Sequence, residues 1–566
     1  MSESPTANSE KPSTSVAARV GWAVLILATL YVCYFSHLGA IGFVGPDEPR
    51  YAWIARAMTE TGDWVTPRLY GLPWFEKPPL YYWGAALSFK LFGVSEAAAR
   101  LPSALSALFA TLALAWLALR IYGAETARWL LLLLPTTVGM IGFSHAAATD
   151  MPFSGMLTIA MVCAAVALRQ VPATEDRASP NSANSPTPWT ALILFGFFLG
   201  LAVLAKGPAG IILCGGAVFF WAIFTKRWRD AFRLLHPTAI AAFCLTALPW
   251  YILCARRNPD FFRVFIIEHN FKRYLTPEFQ HIQPFWYYLP VILAALLPWS
   301  TFLLSGAVSF VSKTSRRQDI LSSDWLLFCW STFPVLFFSL SKSKLPGYIL
   351  PSVLSVTVLT THAIVRRLGD RFSARWLFSA VGVTLVALGI TAYRLNDSIP
   401  FVTDVRPSPS VVLFATLATL GGGLVTLLAV SRRATASAFV VVGTMLCFLA
   451  LDTGNLWELD DGVSARPMVA AALENISSEE AARAMVFKLR RSYKYQVDFY
   501  LHRETQEWSP DFKTHALVFT DAKHSEELVR FGAWCPHYIA IPAVWVCEYS
   551  KDGTVLMGHA ASSGKP

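Results

Sequence analysis

Charged residues are scarce in this sequence, and their scarcity excludes a soluble fold. Only 15% of the 566 residues are charged, whereas 54% are hydrophobic and the mean hydropathy is +0.45. Soluble domains contain about 25% charged residues, so the composition indicates a polytopic membrane protein. The net charge of +10 does not indicate nucleic-acid binding, because Lys and Arg fall in short clusters between apolar runs. We expect membrane lipids as partners and no nucleic acid.

Cysteine is nearly absent from the polar parts of the chain. Seven of the nine cysteines lie inside apolar runs, where they act as small hydrophobic residues: Cys33, Cys163, Cys214, Cys244, Cys254, Cys329 and Cys447. The other two, Cys535 and Cys547, lie in the polar C-terminal region. The sequence leaves open whether these two form a disulfide, which depends on the compartment of that region.

Apolar runs long enough to cross a bilayer recur over most of the chain. A transmembrane helix needs about 20 mostly apolar residues. Such runs lie near 20–40, 101–119, 127–145, 152–168, 189–205, 208–224, 237–255, 286–310, 324–340, 346–365, 376–393, 410–430 and 436–453. No small-residue cleavage site follows the first run, so we expect it to be a retained span. The sequence predicts a mostly α-helical protein with thirteen transmembrane helices.

Basic loops set the predicted orientation. Clusters of Lys and Arg occur at every second connection, and the positive-inside rule places them in the cytoplasm: KRWRDAFR (226–233), SKTSRRQD (312–319), VRRLGDRFSAR (365–375) and SRR (431–433). The Ser- and Pro-rich residues 1–19 are then a disordered cytoplasmic tail. The C-terminus is expected on the opposite side.

The first outer loop, 41–100, is predicted to carry two helices on the membrane surface. The segment 78–93 is apolar but too short to span a membrane, and it contains Lys90. The segment 50–58 places its apolar residues on one helical face. Counting 78–93 as a span would put the basic clusters on the wrong sides. A second outer loop is expected at 256–285.

The composition changes at about residue 454. Beyond it, helix-like segments (464–474, 493–501 and 522–531) alternate with β-branched or apolar runs (AMVFKL, HALVFT and YIAIPAVWV). This alternation predicts a small α/β domain at 455–566. The transmembrane domain is then 20–454.

The ionisable residues at helix ends fall on the predicted outer face, and the spans themselves contain almost none. A transporter normally needs such groups near the bilayer midplane, so this distribution favours an enzyme acting on a lipid head group. Several cations on one face suit phosphate binding, namely Lys77, Lys206, Arg273 and Lys344. Acidic side chains nearby suit orientation of an acceptor, proton removal or metal binding, namely Asp47, Glu48 and Asp150.

Six ordered motifs carry a family resemblance. They are GPDEPRYA after the first span, FEKPPLYYW, ATD at 148–150, LAKGP, EH at 268–269 with Arg273, and SKSKLPGYILP. Together they resemble the GT-C membrane glycosyltransferases of the protein O-mannosyltransferase-related branch. More narrowly, they resemble the bacterial 4-amino-4-deoxy-L-arabinose lipid A transferases. The motifs cover residues 20 to 360, and the thirteen-span plan extends the resemblance over the chain.

The resemblance implies a multi-pass enzyme of the bacterial inner membrane with a periplasmic active site and C-terminal domain, and we expect a monomer. Such an enzyme takes 4-amino-4-deoxy-L-arabinose from undecaprenyl phosphate and joins it to a phosphate of lipid A. Inversion by direct displacement is our hypothesis for this transfer. The product changes the charge of lipopolysaccharide and the resistance to cationic peptides such as polymyxin. Two alternatives stay open: transfer of another polyprenyl-phosphate-linked sugar, such as mannose, to protein or glycan, and non-catalytic transport of a lipid-linked sugar.

The resemblance also implies roles for single residues. Asp47 is the main catalytic carboxylate and Asp150 its acidic partner, with Glu48 as a further candidate that also suits a helix cap. The donor phosphate is assigned to Lys77, Arg273 and Tyr348, with Lys206 and Lys344 as additional cations. Arg50, Tyr51 and Glu76 are other site candidates. No cofactor is required, and a divalent metal is left open, with Glu76 and His269 as its ligands.

Overall fold

The structure of the protein is a computed structural model. It describes residues 15–171, 189–272, 274, 282–315, 320–368, 371–395, 409–452, 456–512, 515–535 and 544–549. Three parts follow from the contacts: a helical bundle, a surface layer formed by residues 39–95, and an α/β unit near the C-terminus. The predicted disordered tail lies almost entirely outside the described residues.

The first part of the chain supplies one bundle helix and the surface layer. The elements are α1 (Val16–Tyr34), α2 (Asp47–Thr61), β1 (Arg68–Leu69), β2 (Leu72–Pro73) and α3 (Leu80–Phe92). β1 and β2 form an antiparallel hairpin. The two predicted surface helices are confirmed as helices: α2 contains the predicted segment 50–58, and α3 matches 78–93. They pack together through buried aromatic residues, including Tyr51, Tyr81 and Tyr82.

The remaining bundle helices follow in chain order. They are α4 (Glu96–Tyr122), α5 (Ala124–Leu133), α6 (Val138–Ser144), α7 (Asp150–Ala167), α8 (Trp189–Lys206), α9 (Ala209–Thr225), α10 (Trp228–Ala231), α11 (Pro237–Arg257), α12 (Tyr288–Ala295), α13 (Ser300–Ser315), α14 (Ser322–Ser339), α15 (Leu350–Leu368), α16 (Arg371–Leu395), α17 (Pro409–Val430) and α18 (Ala434–Leu451). A π-helix at Arg263–Lys272 and 3₁₀ turns at Phe232–Leu235, Phe285–Tyr287 and Pro346–Ile349 connect some of them.

The multi-pass helical prediction is confirmed, but the count of thirteen spans is not. Nine of the described helices are long and apolar enough to cross a membrane, or up to eleven if each of two bent pairs is one span. The bent pairs are α5 with α6, at 62°, and α12 with α13, at 119°. The other two predicted spans, near 208–224 and 324–340, coincide with α9 and α14, which lie outside these eleven.

Helix α4 extends from one end of the bundle to the other. This helix has 27 residues, which corresponds to about 40 Å. At its far end, Tyr122 donates a hydrogen bond to Asp324 at 2.5 Å, and Arg227 of the basic loop contacts nearby Ser322 at 3.4 Å. We call the opposite end, where α1 and α8 finish and α4 and α7 begin, the site end. The basic loop 226–233 therefore lies away from the site end.

The C-terminal unit is a small α/β fold, as predicted. Its elements are α19 (Leu456–Val463), α20 (Arg466–Asn475), α21 (Ser478–Arg483), β3 (Met485–Val486), α22 (Arg491–Leu501), β4 (Gln506–Glu507), β5 (Ala516–Thr520), α23 (Ala522–Arg530) and β6 (Trp545–Tyr549). The strand order is β4-β3-β5-β6, in which β3 pairs in parallel with β4 and β5, and β5 pairs antiparallel with β6. Cys535 and Cys547 form a disulfide. Part of the predicted run YIAIPAVWV lies outside the described residues.

The C-terminal unit packs on the surface layer at the site end. The rings of Phe43 and Phe499 are 4.8 Å apart, and Tyr500 donates a hydrogen bond to Glu96 at 2.8 Å. Arg466 donates hydrogen bonds to the carbonyl oxygens of residues 39 and 40, at 2.9 and 2.7 Å. These contacts place α22 beside α2.

Candidate active site at one end of the helix bundle

Asp47 is the first residue of α2, and its side chain is half exposed. The chain enters this helix through Gly45, whose φ of 69° lies in the left-handed region that suits glycine. Asp47 and Glu48 occupy the first turn, where carboxylates interact favourably with the helix dipole. The side chain of Asp47 is 50% exposed and that of Glu48 only 9%. These adjacent acids therefore have different surroundings.

A chain of alternating charges runs from Asp47 into the surface layer, and we call these four residues the Asp47 chain: Asp47, Arg50, Glu76 and Lys77. Arg50 pairs with Asp47, and its Nη2 lies 3.1 Å from Glu76 Oε2. Glu76 Oε1 lies 3.4 Å from Lys77 Nζ. Burial opposes the charge on Arg50, but Glu76 and the other acidic groups around it raise the pKa of the guanidinium. Arg50 therefore remains a cation that holds two carboxylates.

Aromatic rings surround the Arg50 guanidinium. Its Cζ lies 5.3 Å from the ring centroid of Tyr51, 5.5 Å from that of Trp74 and 5.8 Å from that of Tyr495. Rings at these distances stabilise a cation through their π faces. Tyr495 belongs to α22, so the C-terminal unit forms part of this wall. Sequence reasoning missed Trp74 and Tyr495: Trp74 immediately precedes the FEKPPLYYW motif, but nothing in the sequence links Tyr495 to it.

A second group of predicted residues meets at the start of α7, and we call these three residues the Asp150 cluster: Asp150, Lys206 and Tyr348. Lys206 Nζ lies 2.6 Å from Asp150 Oδ1, and it also lies 4.9 Å from the ring centroid of Tyr348. A side chain at residue 347 would collide with the Asp150 carboxylate, so the glycine in SKSKLPGY allows this approach. Lys206, at the C-terminus of α8, therefore forms an ion pair with Asp150 in addition to any interaction with its own helix end.

Glu48 joins the two groups through a buried ion pair, which we call the Glu48 lock: Glu48 and Arg100. Arg100 donates two hydrogen bonds to the Glu48 carboxylate, at 3.0 and 2.8 Å. The backbone N–H groups of Val44 and Ala147 donate two more, at 2.7 and 2.6 Å. Since Ala147 lies three residues before Asp150, this network holds the starts of α2 and α7 together. The hydrogen bonds to the Glu48 carboxylate therefore have a structural role, and they do not involve the exposed carboxylate of Asp47.

Lys344, one of the predicted phosphate ligands, is not brought into these groups. Lys344 is buried, and its Nζ donates hydrogen bonds to the carbonyl oxygens of Ser341, at 2.6 Å, and Gln283, at 3.1 Å. Burial and the nearby charge of Lys342 lower the pKa of Lys344. This lysine therefore stabilises the loop before α15. Arg273 lies outside the described residues.

His269 lies at a cavity next to the surface layer. The cavity has a volume of about 500 Å³, in the range of small-molecule sites. Its lining residues are Pro73, Trp74, Phe75, Arg257, Asn258, Pro259, Asp260, Arg263, Val264 and His269. Trp74 therefore contributes both to this cavity and to the surroundings of Arg50. Phe75 belongs to the same hydrophobic cluster as Leu204, near the end of α8.

The described part of the chain contains no group of three or more His, Cys, Asp and Glu side chains that could hold a metal ion. Glu76, one of the two predicted ligands, pairs with Arg50 and Lys77. Two cations around one carboxylate oppose the approach of a third. We derive no step through a metal.

Known proteins match this chain over the regions that contain the charged groups described above. The family profile described as dolichyl-phosphate-mannose-protein mannosyltransferase matches residues 16–265. A protein of Aeromonas salmonicida (strain A449), an undecaprenyl phosphate-alpha-4-amino-4-deoxy-L-arabinose arabinosyl transferase, is 31% identical over 447 residues, covering 77% of this chain and 76% of that protein. The chain belongs to this arabinosyl transferase family. The family relationship therefore rests on most of the chain.

Other arabinosyl transferases extend the match along the sequence and the fold. The enzyme of the same name from Edwardsiella ictaluri (strain 93-146) is 29% identical over 557 residues, covering 95% of this chain and 93% of that enzyme. The crystal structure of ArnT from Cupriavidus metallidurans bound to undecaprenyl phosphate has a TM-score of 0.72 at 23% identity, covering 94% of this chain and 98% of that one. The GT-C fold expected from the motifs is therefore confirmed.

Proposed function

We propose that this protein transfers 4-amino-4-deoxy-L-arabinose from undecaprenyl phosphate to a phosphate of lipid A at the periplasmic face of the bacterial inner membrane. Membership of the arabinosyl transferase family supports the sugar and the carrier, since its members carry both in their names. The observation that carries the proposal is the Asp47 chain: an exposed carboxylate, fixed by a buried arginine, next to a lysine at the same end of the bundle as Asp150 and Lys206.

The proposed reaction exchanges one phosphate oxygen for another at the anomeric carbon. The bond from this carbon to the oxygen of undecaprenyl phosphate breaks, and a bond to an oxygen of the acceptor phosphate forms on the opposite side of the sugar. Undecaprenyl phosphate leaves with the bonding electrons. A phosphate monoester has its second pKa at about 6, so the acceptor is already ionised at neutral pH, and no base is needed to remove a proton.

Asp47 is proposed to act by charge and position. A carboxylate near the anomeric carbon stabilises the positive charge that develops there, as in other glycosyl transfers. Arg50 keeps Asp47 in place. We assign no chemical role to Glu48, because its oxygens are taken up by Arg100 and two backbone amides.

Lysine side chains are proposed to stabilise the departing phosphate. Lys77 and Lys206 are each about one-eighth exposed, at 13%, and each is held by a carboxylate, so they present a fixed positive charge at the site end. Such preorganised cations stabilise charge as it develops on the leaving group. Tyr348 adjoins Lys206 and is the natural hydroxyl donor to the same phosphate.

Two observations support the periplasmic orientation. The basic loop 226–233 lies at the end of the bundle away from the site, and basic loops remain in the cytoplasm. The C-terminal unit on the site end contains the Cys535–Cys547 disulfide, and disulfides persist in the periplasm. We therefore propose a transmembrane domain at 20–454 and a periplasmic domain at 455–566.

Transfer between purified components tests the proposal. The protein, in lipid nanodiscs, is mixed with lipid A and with equal amounts of undecaprenyl-phosphate-linked aminoarabinose and mannose, and the lipid A is analysed by mass spectrometry. We expect lipid A carrying aminoarabinose alone. Attachment of mannose would overturn the sugar assignment. Unmodified lipid A, with both donors intact, would overturn the transferase assignment and favour transport or binding.

A further inference from the structure

Three buried hydrogen-bond donors, one on Arg50 and two on side chains near it, have no partner among the described residues. They are Nε of Arg50, Nε1 of Trp74 and the hydroxyl group of Tyr82. Arg50 is 5% exposed and Tyr82 is fully buried. Buried donors are nearly always paired in native proteins, because losing water without gaining a partner is costly. Each of these three groups therefore requires an explanation.

The three donors belong to one cluster. The Arg50 guanidinium lies 5.5 Å from the ring centroid of Trp74 and 5.3 Å from that of Tyr51. The Tyr51 ring lies in turn 5.8 Å from the Tyr82 ring. Unpaired donors on neighbouring side chains suit a single ligand that offers several acceptor atoms.

The charges around the cluster favour a sugar over a phosphate. Arg50 is flanked by two carboxylates, Asp47 and Glu76, so its charge is already balanced. Hydroxyl groups and a ring oxygen accept hydrogen bonds without adding negative charge. Aromatic rings also offer flat apolar surfaces to the C–H groups of a sugar. The carboxylate of Asp47 at the rim suits the amino group of an amino sugar.

We propose that Arg50, Trp74 and Tyr82 donate hydrogen bonds to the oxygen atoms of the transferred sugar. This inference rests on the function proposed above, and it assigns the sugar to a place between Asp47 and the cavity. Trp74 contributes to the wall of that cavity, so its side chain must turn for the sugar to reach the donors. The phosphate of the carrier then remains with Lys77 and Lys206.

Two substitutions remove one donor each and keep an aromatic ring: Trp74→Phe and Tyr82→Phe. Dissociation constants are measured for the sugar-bearing donor and for undecaprenyl phosphate alone, and Tm is measured without substrate. We expect the Tm of Tyr82→Phe to equal or exceed that of the unmodified protein, because an unpaired buried hydroxyl is removed. We expect Kd for the donor to rise about 3- to 30-fold in each variant, with Kd for undecaprenyl phosphate unchanged.

Trp330→Phe is the matched control. The indole N–H of Trp330 is also buried and has no partner among the described residues, but it lies in α14 within the bundle core. We expect the ratio of the two dissociation constants to stay as in the unmodified protein. This ratio also corrects for variants that are partly misfolded, since damage to the fold weakens both ligands.

An unchanged ratio in both Trp74→Phe and Tyr82→Phe would overturn the inference, whatever happens to Tm. Equal weakening of both ligands would place the contact on the phosphate and overturn the sugar assignment. The proposed function fails separately, if the unmodified protein does not transfer the sugar at all. Transfer by the unmodified protein together with an unchanged ratio in the variants would reject this inference alone.

Discussion

Asp47 and Glu48 are neighbours in the sequence, yet their carboxylates belong to opposite kinds of ion pair. The Glu48 lock is buried: Arg100 is 3% and Glu48 is 9% exposed, and four hydrogen bonds fill the carboxylate. The Asp47 chain is open: Asp47 is 50% exposed at one end, while Lys77 is 13% exposed at the other. The buried pair holds helices together, and the open one leaves a carboxylate exposed.

The difference shows that proximity in a motif does not make two acids equivalent. A buried pair that loses one partner leaves a desolvated charge behind, so its loss is felt in folding. A half-exposed carboxylate already contacts water, so its removal should cost little stability. We expect its loss to reduce the reaction rate instead. We therefore expect substitutions in the Glu48 lock to reduce stability and substitutions in the Asp47 chain to reduce activity.

The largest effect is expected for Asp47→Asn. The substitution keeps the shape but removes the negative charge that is proposed to face the anomeric carbon. We expect turnover at saturating acceptor to fall about 100- to 10,000-fold, with little change in Tm. The measurement is the initial rate of sugar transfer to lipid A by the purified variant. Near-normal turnover would remove Asp47 from the chemistry.

Arg100→Met tests the other side of the comparison. It leaves Glu48 buried without its cation, and we expect a loss of about 3–5 kcal/mol in stability. Thermal unfolding in detergent measures it. The control is Arg483→Met, which removes the exposed pair with Glu479 and should cost about 0–1 kcal/mol. Equal Tm values for the two variants would show that the Glu48 lock is not structural.

Lys206→Met sharpens the comparison at the second open pair. Loss of the cation should weaken binding of undecaprenyl phosphate about tenfold or more, since a charged hydrogen bond contributes about 1.5–3 kcal/mol. Kd for undecaprenyl phosphate checks this. Lys90→Met is the control, because Lys90 is an exposed residue of α3 that lies against Trp64. If both lysine variants bind the carrier alike, the phosphate assignment of Lys206 is wrong.

The smallest effect is expected for Tyr70→Phe. Tyr70, in the β1–β2 turn, donates a hydrogen bond to Asp498 of α22 at 2.6 Å, which anchors the segment leading to Glu76 and Lys77. Asp498 keeps its bonds to Lys494 and Thr505, so the cost should be only about 1 kcal/mol. We expect KM for the donor to rise a few fold, while kcat stays close to normal.

Tyr122→Phe is the matched control for Tyr70→Phe. It removes the same kind of hydroxyl–carboxylate bond, from Tyr122 to Asp324 at 2.5 Å, at the far end of the bundle. Its KM for the donor should not change. A rise in KM for both variants would mean that the effect of Tyr70 passes through general stability rather than through the position of the site.

Local sequence patterns predicted several of the helices and strands. Hydrophobic periodicity predicted α2, and a short apolar run predicted α3. Three of the five helices of the C-terminal unit, α20, α22 and α23, were also predicted, whereas α19 and α21 were not. The motif LAKGP placed Lys206 at a helix end, where the structure pairs it with Asp150. The resemblance to the arabinosyl transferases also predicted the GT-C fold.

Long-range partners could not be predicted in this way. Glu48 and Arg100 are 52 residues apart, and no periodicity couples them. Lys344 resembles a phosphate ligand in its motif, but its amine faces backbone carbonyl groups. Tyr495 of the C-terminal unit contacts Arg50, although the two residues are far apart in the sequence. Such contacts depend on how the C-terminal unit and the loops pack, which a single sequence does not state.

The most direct measurement is mass spectrometry of lipid A from bacteria that lack the gene for this protein and receive it back in three forms: unmodified, Asp47→Asn, and Arg483→Met. The account predicts lipid A carrying aminoarabinose in the first and third strains, and unmodified lipid A in the second. Aminoarabinose on lipid A in all three strains, at equal membrane levels of the protein, would contradict the central role of Asp47. Its absence from all three would contradict the proposed transfer itself.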